Sequence, residues 1–158
     1  MKILMVCLGN ICRSPMAEGV LRYKLFEQKI NKNIEVDSAG TIAMHEGEHP
    51  DRRAIKTAKK HGVDIGKLRA RHFSLSDFDC FDKIIVMDES NFNTIISLAR
   101  DDEDKRKVEM LLNYSRPQSN ASLQDPYYGD MDGFDSVYGQ IDIACDALIQ
   151  LLVKEINL

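Results

Sequence analysis

Residues 1–19 read MKILMVCLGNICRSPMAEG. Residues 2–6, KILMV, form a short, nearly continuous apolar run, the pattern of a strand buried on both faces. The run ends on Cys7, and a loop containing Gly9 and Asn10 follows. Ser14-Pro15 then reads as the N-cap and first residue of a helix reaching about Lys29. Along it Met16, Val20, Leu21, Tyr23, Leu25 and Phe26 fall mostly on one stripe. Buried strand, tight loop and amphipathic helix together make the opening unit of a parallel α/β sheet.

The rest of the chain repeats that alternation. Residues 34–38 (IEVDS) read as a second strand broken by Ala39-Gly40, and 41–50 as a loop. Asp51 to His61 reads as a helix that Gly62 ends. KIIVM (83–87) is the third strand, and Asp88-Glu89-Ser90-Asn91 starts a helix to about Ala99. DDEDKRK (101–107) reads as a surface charge run, VEMLL (108–112) as the fourth strand and 113–133 as a polar loop. Phe134 to Ile156 is the last helix, with Val137, Tyr138, Ile141, Cys145, Leu148, Leu151, Leu152 and Ile156 recurring every three or four residues. The expectation is one α/β domain over 1–158: a four-stranded parallel sheet with helices on both faces and a phosphate-binding loop after the first strand. In such folds ligands bind beyond the carboxyl ends of the strands, the side on which Cys7 falls.

Composition narrows the functional classes. The chain has 158 residues, 44% hydrophobic and 29% charged, as expected of a globular domain with a core. No apolar run approaches the roughly 18 residues of a membrane span. No targeting segment is visible, so the cytoplasm is expected. The four cysteines (Cys7, Cys12, Cys80, Cys145) are read as free thiols, and their spacing is not that of a zinc site. A net charge of −4 argues against nucleic acid or a membrane surface as partner. Residues 52–72 nevertheless hold eight Lys/Arg against one acid, Asp64, and residues 125–146 hold six Asp and no Lys or Arg. These are either two solvated faces of opposite charge or the rim of a site.

Cys7 to Arg13 has C-x5-R spacing, a short pattern that gains weight from its place between strand and helix. A loop curling into a helix N-terminus points N–H groups at its centre, and the helix end adds partial positive charge. Gly9 allows backbone to approach a ligand there. Arg13 can close this anion cradle with a bidentate fork on phosphate oxygens. Cys7 would lie at its base, where N–H donors, a guanidinium and the Ser14 hydroxyl favour the nucleophilic thiolate. Asn10 is expected to tolerate a left-handed turn and to hold the loop's shape. Cys12 has two readings: a small packing residue, or a second thiol able to capture an oxidised Cys7. A nucleophile that expels a phenolate needs a proton donor opposite it. Asp125 in QDPYYG (124–129) is the candidate, the alternative being a simple Asp-Pro turn; Tyr127 and Tyr128 beside it could wall a pocket for a flat ring.

Taken together, VCLGNICRSPMAEG (6–19), DSAGT (37–41), ARH (70–72), IIVMDESN (84–91) and DPYYG (125–129) resemble, in order and spacing, the low-molecular-weight protein tyrosine phosphatases. The resemblance covers essentially the whole chain. It implies a four-stranded parallel sheet, no metal or other cofactor, and a phosphocysteine intermediate. By position Cys7 resembles the nucleophile, Arg13 the phosphate clamp, and Asp125 the general acid that later acts as base. Asn10, Ser14 and Ser38 resemble the network that shapes the loop. Leu8, Gly9, Ile11 and Cys12 complete the substrate-binding loop, and Met44, Tyr127 and Tyr128 its mouth. The implied partners are a phosphotyrosine-containing protein as substrate and inorganic phosphate as product; the opposed charge segments could favour weak self-association, and a monomer is the expectation.

Three positions bear on specificity. Ile11 has no side-chain acceptor for a guanidinium, whereas relatives acting on phosphoarginine carry threonine there; phosphotyrosine is therefore expected. Met44 stands where many relatives have Trp, so the mouth should grip rings less firmly or accept more shapes. Leu68 replaces a loop-bracing His of eukaryotic relatives, so bracing should come from elsewhere, with Ser38 the candidate. His45, His49, His61 and His72 are left without a necessary catalytic role. Arsenate reductases share this loop but need two further grouped cysteines, and only Cys80 lies in the right region. A non-catalytic phosphate binder would not need both a nucleophile and an acid.

Overall fold

The computed structural model describes residues 1–157. Four strands, β1 (Lys2–Cys7), β2 (Glu35–Gly40), β3 (Lys83–Val86) and β4 (Val108–Met110), alternate with helices α1 (Arg13–Glu27), α2 (Arg52–Lys60), α3 (Asp77–Cys80), α4 (Glu89–Leu98), α5 (Asp102–Arg106) and α6 (Met131–Ile156). All pairings are parallel, in the order β2-β1-β3-β4. β1 is therefore central, and Cys7 ends it where the connections diverge to either side, the expected place for a ligand.

The two-residue period of β1 builds two cores. Ile3 and Met5 face one layer with α1, α2 and α6, and Leu4 and Val6 face the other with Phe73, Phe78, Phe81 and Ile95. Residues 3–6 have no exposed surface, and each such side chain contributes about 1.5–3 kcal/mol by burial. The strand that ends on Cys7 is thus fixed on both faces.

Several boundaries differ from the expectations. Cys12, not Ser14, is the N-cap of α1, because the Ser14 hydroxyl is turned to the Cys7 sulfur and the Asn10 amide. β2 runs through Gly40, whose missing Cβ would lie 2.8 Å from the Leu8 carbonyl oxygen; only glycine lets the loop pass so close. The 101–107 charge run contains α5, and Asp104 is buried against Arg100 (Oδ2 to Nε 2.8 Å). α3 was not anticipated: its four residues are too few to give a helical period. β4 is shorter than expected and gives way to a 3-10 turn over Leu111–Asn113. α6 begins three residues early because Asp130 accepts from the Gly133 N–H at 3.1 Å and caps it.

α6 is also, by length and hydropathy, long and apolar enough to cross a membrane, a property the run-length reading had not given it. Its apolar stripe, from Phe134 through Tyr138 and Leu148 to Leu152, lies in the core. The two charged segments partly answer each other: Lys60 pairs with Asp135 at 2.6 Å, and Lys24 of α1 holds Asp142 and Asp146.

Candidate active site

The loop from Cys7 to Ser14 is held by one side chain above all. Asn10 adopts φ +58°, the left-handed turn anticipated for it. Its amide nitrogen donates to Ser14 Oγ (2.8 Å) and Ser38 Oγ (2.9 Å), and its amide oxygen accepts from the Arg71 backbone N–H (2.9 Å). Its own backbone N–H points at Cys7 Sγ, 3.3 Å away. Ser14 Oγ lies 3.0 Å from the same sulfur; because it accepts from Asn10, its proton is free for Cys7. Ser38 in turn donates to Glu18 Oε1 at 2.7 Å. Bracing thus comes from Ser38, as expected, together with the Arg71 N–H and Glu18, which the sequence reading had not named. Arg71 is itself fixed by Asp37 and Asp77.

Glu18 is almost fully buried, and burial pushes its carboxyl above the usual range against the opposing pull of Ser38 and Arg22. Its second oxygen is 2.7 Å from Arg22 Nη2 but outside hydrogen-bond geometry. The Cys12 thiol is also pushed well up, by burial first and then by the charges of Asp51, Cys7 and Asp125. It therefore stays protonated. Both of its readings survive, since it packs in the core and also lines the cavity with Cys7.

Arg13 is 2% exposed. Its Nη1 donates to Asp88 Oδ2 (2.7 Å) and to the Leu123 carbonyl (2.8 Å), and its Nη2 lies 3.4 Å from Asp125 Oδ2. Burial works against the guanidinium charge, but Cys7, Asp88 and Asp125 outweigh it and raise its pKa further. A charged fork is therefore locked in place before any ligand arrives. Asp88 escaped the sequence reading because its neighbours announced only a helix start. It does cap α4, with Oδ1 taking the Asn91 N–H at 2.7 Å, while Oδ2 holds Arg13. Its position directly beyond the carboxyl end of β3 was the available signal.

A cavity of about 140 Å³ opens above Cys7. Cys7, Leu8, Gly9, Ile11, Cys12 and Arg13 form its floor, and Asp125, Tyr127, Tyr128, Met44, Ile42 and His45 its walls. The structure thus brings together every proposed site residue except Asn10, Ser14 and Ser38, which lie beneath the floor as its scaffold. His45 and Ile42 are additions. His45 bonds Glu48 at 2.6 Å, and a Cβ on Gly9 would sit 3.0 Å from its ring, so a larger residue at position 9 would press on that wall. Asp125 Oδ1 accepts from the Tyr127 N–H at 3.0 Å, so the Asp-Pro turn and the acid candidate are one structure. No side chain caps the N-terminus of α1, and Pro15 brings no N–H, so this helix end is open to an anion. Among the described residues no three His, Cys, Asp or Glu side chains are grouped to hold a metal ion. Cys80 is exposed and Cys145 lies in the core, its thiol pushed up to about 12 by burial, so the two form no redox pair.

A family profile described as "Low molecular weight phosphotyrosine protein phosphatase" matches residues 2–158. A Synechocystis protein described as a putative low molecular weight protein-tyrosine-phosphatase is 39% identical over 156 residues, 99% of each chain. The human low molecular weight phosphotyrosine protein phosphatase is 40% identical over 149 residues, 94% of this chain and 93% of that one. Among solved structures, a protein tyrosine phosphatase from Entamoeba histolytica with Hepes in its active site superposes with a TM-score of 0.91 at 35% identity, covering 100% and 99% of the two chains. Vibrio vulnificus Wzb in complex with benzylphosphonate superposes at 0.81 with 31% identity, covering 94% and 97%.

Proposed function

Because the chain belongs to the low molecular weight phosphotyrosine protein phosphatase family, we propose that it hydrolyses phosphotyrosine and small aryl phosphates through a phosphocysteine on Cys7. The observation that carries the reading is the alignment of three groups about one cavity. Cys7 Sγ lies among donors, the buried Arg13 fork is aimed by Asp88 and Leu123, and Asp125 lines the same cavity, 3.4 Å from Arg13 Nη2.

In the first step the Cys7 thiolate attacks phosphorus in line. The S–P bond forms, the P–O bond to the phenol breaks, and Asp125 gives its proton to the departing oxygen. A phenolate with a pKa near 10 leaves poorly unless protonated. Arg13 and the N-terminus of α1 hold the non-bridging oxygens, whose charge is spread in a loose transition state. In the second step Asp125, now a carboxylate, takes a proton from water. That water attacks phosphorus, the cysteine thiolate leaves, and inorganic phosphate is released. The Ser14 hydroxyl and the Asn10 N–H, both directed at the Cys7 sulfur, hold it in place for attack and again as the leaving group.

The reading includes turnover without metal or cofactor, a single domain over 1–158, a monomeric chain and a cytoplasmic phosphoprotein substrate. The apolar Ile11 in the floor and the Tyr127-Tyr128 wall support an aromatic substrate head. So does the benzylphosphonate held by the related Vibrio protein, since it combines a ring with a phosphate-like group. Met44, 78% exposed, offers one flexible side of the mouth.

The test is turnover of p-nitrophenyl phosphate against pH in the presence of a chelator. Wild type is expected to turn over, Cys7→Ser to lose activity altogether, and Asp125→Asn to lose roughly 10²–10⁴-fold with poor leaving groups. Full activity in Cys7→Ser, or dependence on added metal, would sink the reading.

A further inference from the structure

We propose that Arg53 is a positioning residue for the acid, strapping the loop that carries Asp125 to the loop that carries Cys7. The proposal rests on the assignment of Asp125 as general acid. Arg53 lies in the basic 52–72 segment, whose purpose the reaction leaves unexplained. Its guanidinium reaches two places at once. On one side Nε and Nη2 fork onto the Asp51 carboxylate at 3.0 and 2.9 Å. On the other, Nη2 donates to the Tyr127 carbonyl at 2.8 Å and Nη1 to the Gly129 carbonyl at 2.9 Å. The plane also lies over the Phe134 ring, 4.6 Å from its centroid, at the start of α6.

Each end of this strap meets the catalytic machinery by one further bond. The Asp51 backbone N–H donates to the Ile11 carbonyl in the floor of the cavity at 2.7 Å. The N–H of Tyr127, whose carbonyl Arg53 holds, is the donor that orients the Asp125 carboxylate at 3.0 Å. Arg53 therefore fixes residue 127 from one side while residue 127 fixes Asp125 from the other. The loop has few other ties to the body of the protein: Tyr128 is 93% exposed, and Arg13 reaches Asp125 only at 3.4 Å. Asp51 alone could cap α2 without an arginine at 53, since it accepts the Arg53 backbone N–H. The side chain is thus free to serve the loop. A lysine cannot replace it, because one ammonium does not present a planar fork to a carboxylate and two carbonyls together.

The experiment compares kcat/KM for phenyl phosphate and p-nitrophenyl phosphate in wild type, Arg53→Met, Arg53→Lys, Asp125→Asn and the double variant Arg53→Met/Asp125→Asn. Methionine keeps an apolar stem over Phe134 and removes every donor. A misplaced acid hurts the poor leaving group more. Arg53→Met is therefore expected to lose about tenfold more on phenyl phosphate than on p-nitrophenyl phosphate, a part of what a general acid supplies. Arg53→Lys should fall between, and it covers the case in which Arg53→Met does not fold. In the double variant the leaving-group bias should equal that of Asp125→Asn alone, because the two residues act as one unit. Equal losses on both substrates in the Arg53 variants, or a double variant that adds the two biases, would overturn the proposal. If Asp125→Asn itself has no leaving-group bias, the general-acid assignment has failed and the strap falls with it, a result distinct from failure of Arg53 alone.

Discussion

The two loops that face each other across the cavity are built in opposite ways. The Cys7–Ser14 loop is buried except at Leu8 and Gly9, and its key amide, on Asn10, has its polar valences satisfied by Ser14, Ser38 and Arg71. The 124–130 loop is largely exposed, held by carbonyl contacts to Arg53, by its own turn and by the longer Arg13–Asp125 contact. The phosphoryl group is the same in every substrate, so donors for it are best fixed in advance, where they cost no reorganisation. The rest of the substrate varies, and a loop with exposed tyrosines can meet it without disturbing the floor.

That contrast can be broken most sharply at Arg13. Arg13→Lys keeps a charge but loses the fork between Asp88 and the phosphate, and kcat for p-nitrophenyl phosphate is expected to fall roughly 10²–10³-fold. Near-normal turnover would mean that the floor is less exacting than its burial suggests. Asn10→Ala attacks the scaffold below. It puts a Cβ-bearing residue without a local hydrogen bond at φ +58° and leaves Ser14, Ser38 and the Arg71 N–H short of partners. A loss of about 2–4 kcal/mol in urea unfolding is expected, together with lower activity. A loss below about 1 kcal/mol would show that the loop holds its shape by other means.

Glu18 lies at the far side of the scaffold from the cavity floor, bonded to Ser38. Burial raises the Glu18 carboxyl in the folded state, whereas an unfolded glutamate titrates near 4.3. From there up to the raised value the folded chain holds more protons than the unfolded chain. The contribution of Glu18 to stability is therefore complete below about 4.3 and is lost as pH rises through the raised value. Glutamine still accepts from Ser38 but does not titrate. Glu18→Gln should therefore gain stability relative to wild type as pH increases from 4 to 7, as measured by urea unfolding at each pH. A difference that stays constant with pH would place the ionisation of Glu18 outside the folding equilibrium.

Much of this was legible in the order of residues. The apolar run into Cys7, the left-handed Asn10, the Asp-Pro turn and the alternation of four strands with helices are local patterns, and local chemistry decides them. The start of α1 was misread by two residues because Ser14 has the composition of a cap. Its hydroxyl is claimed instead by a sulfur and an amide that the sequence places at a distance only folding closes. Asp88 and Arg53 were missed for a related reason. Each has a sufficient local explanation, as a helix cap or as part of a basic segment, and the second role lies with residues far along the chain.

Local pattern was enough to mark a candidate anion loop, because C-x5-R spacing stands between a strand and a helix, and to place its strand centrally, because a nearly continuous apolar run must be covered on both faces. Which groups meet depends on the folded chain. Arg13 is aimed by Asp88, 75 residues on, and by Leu123, 110 residues on. The loop that carries Asp125 is bonded by Arg53, 74 residues before its Tyr127 carbonyl. Contacts over such separations depend on how strands order and helices cross, and no local propensity encodes them.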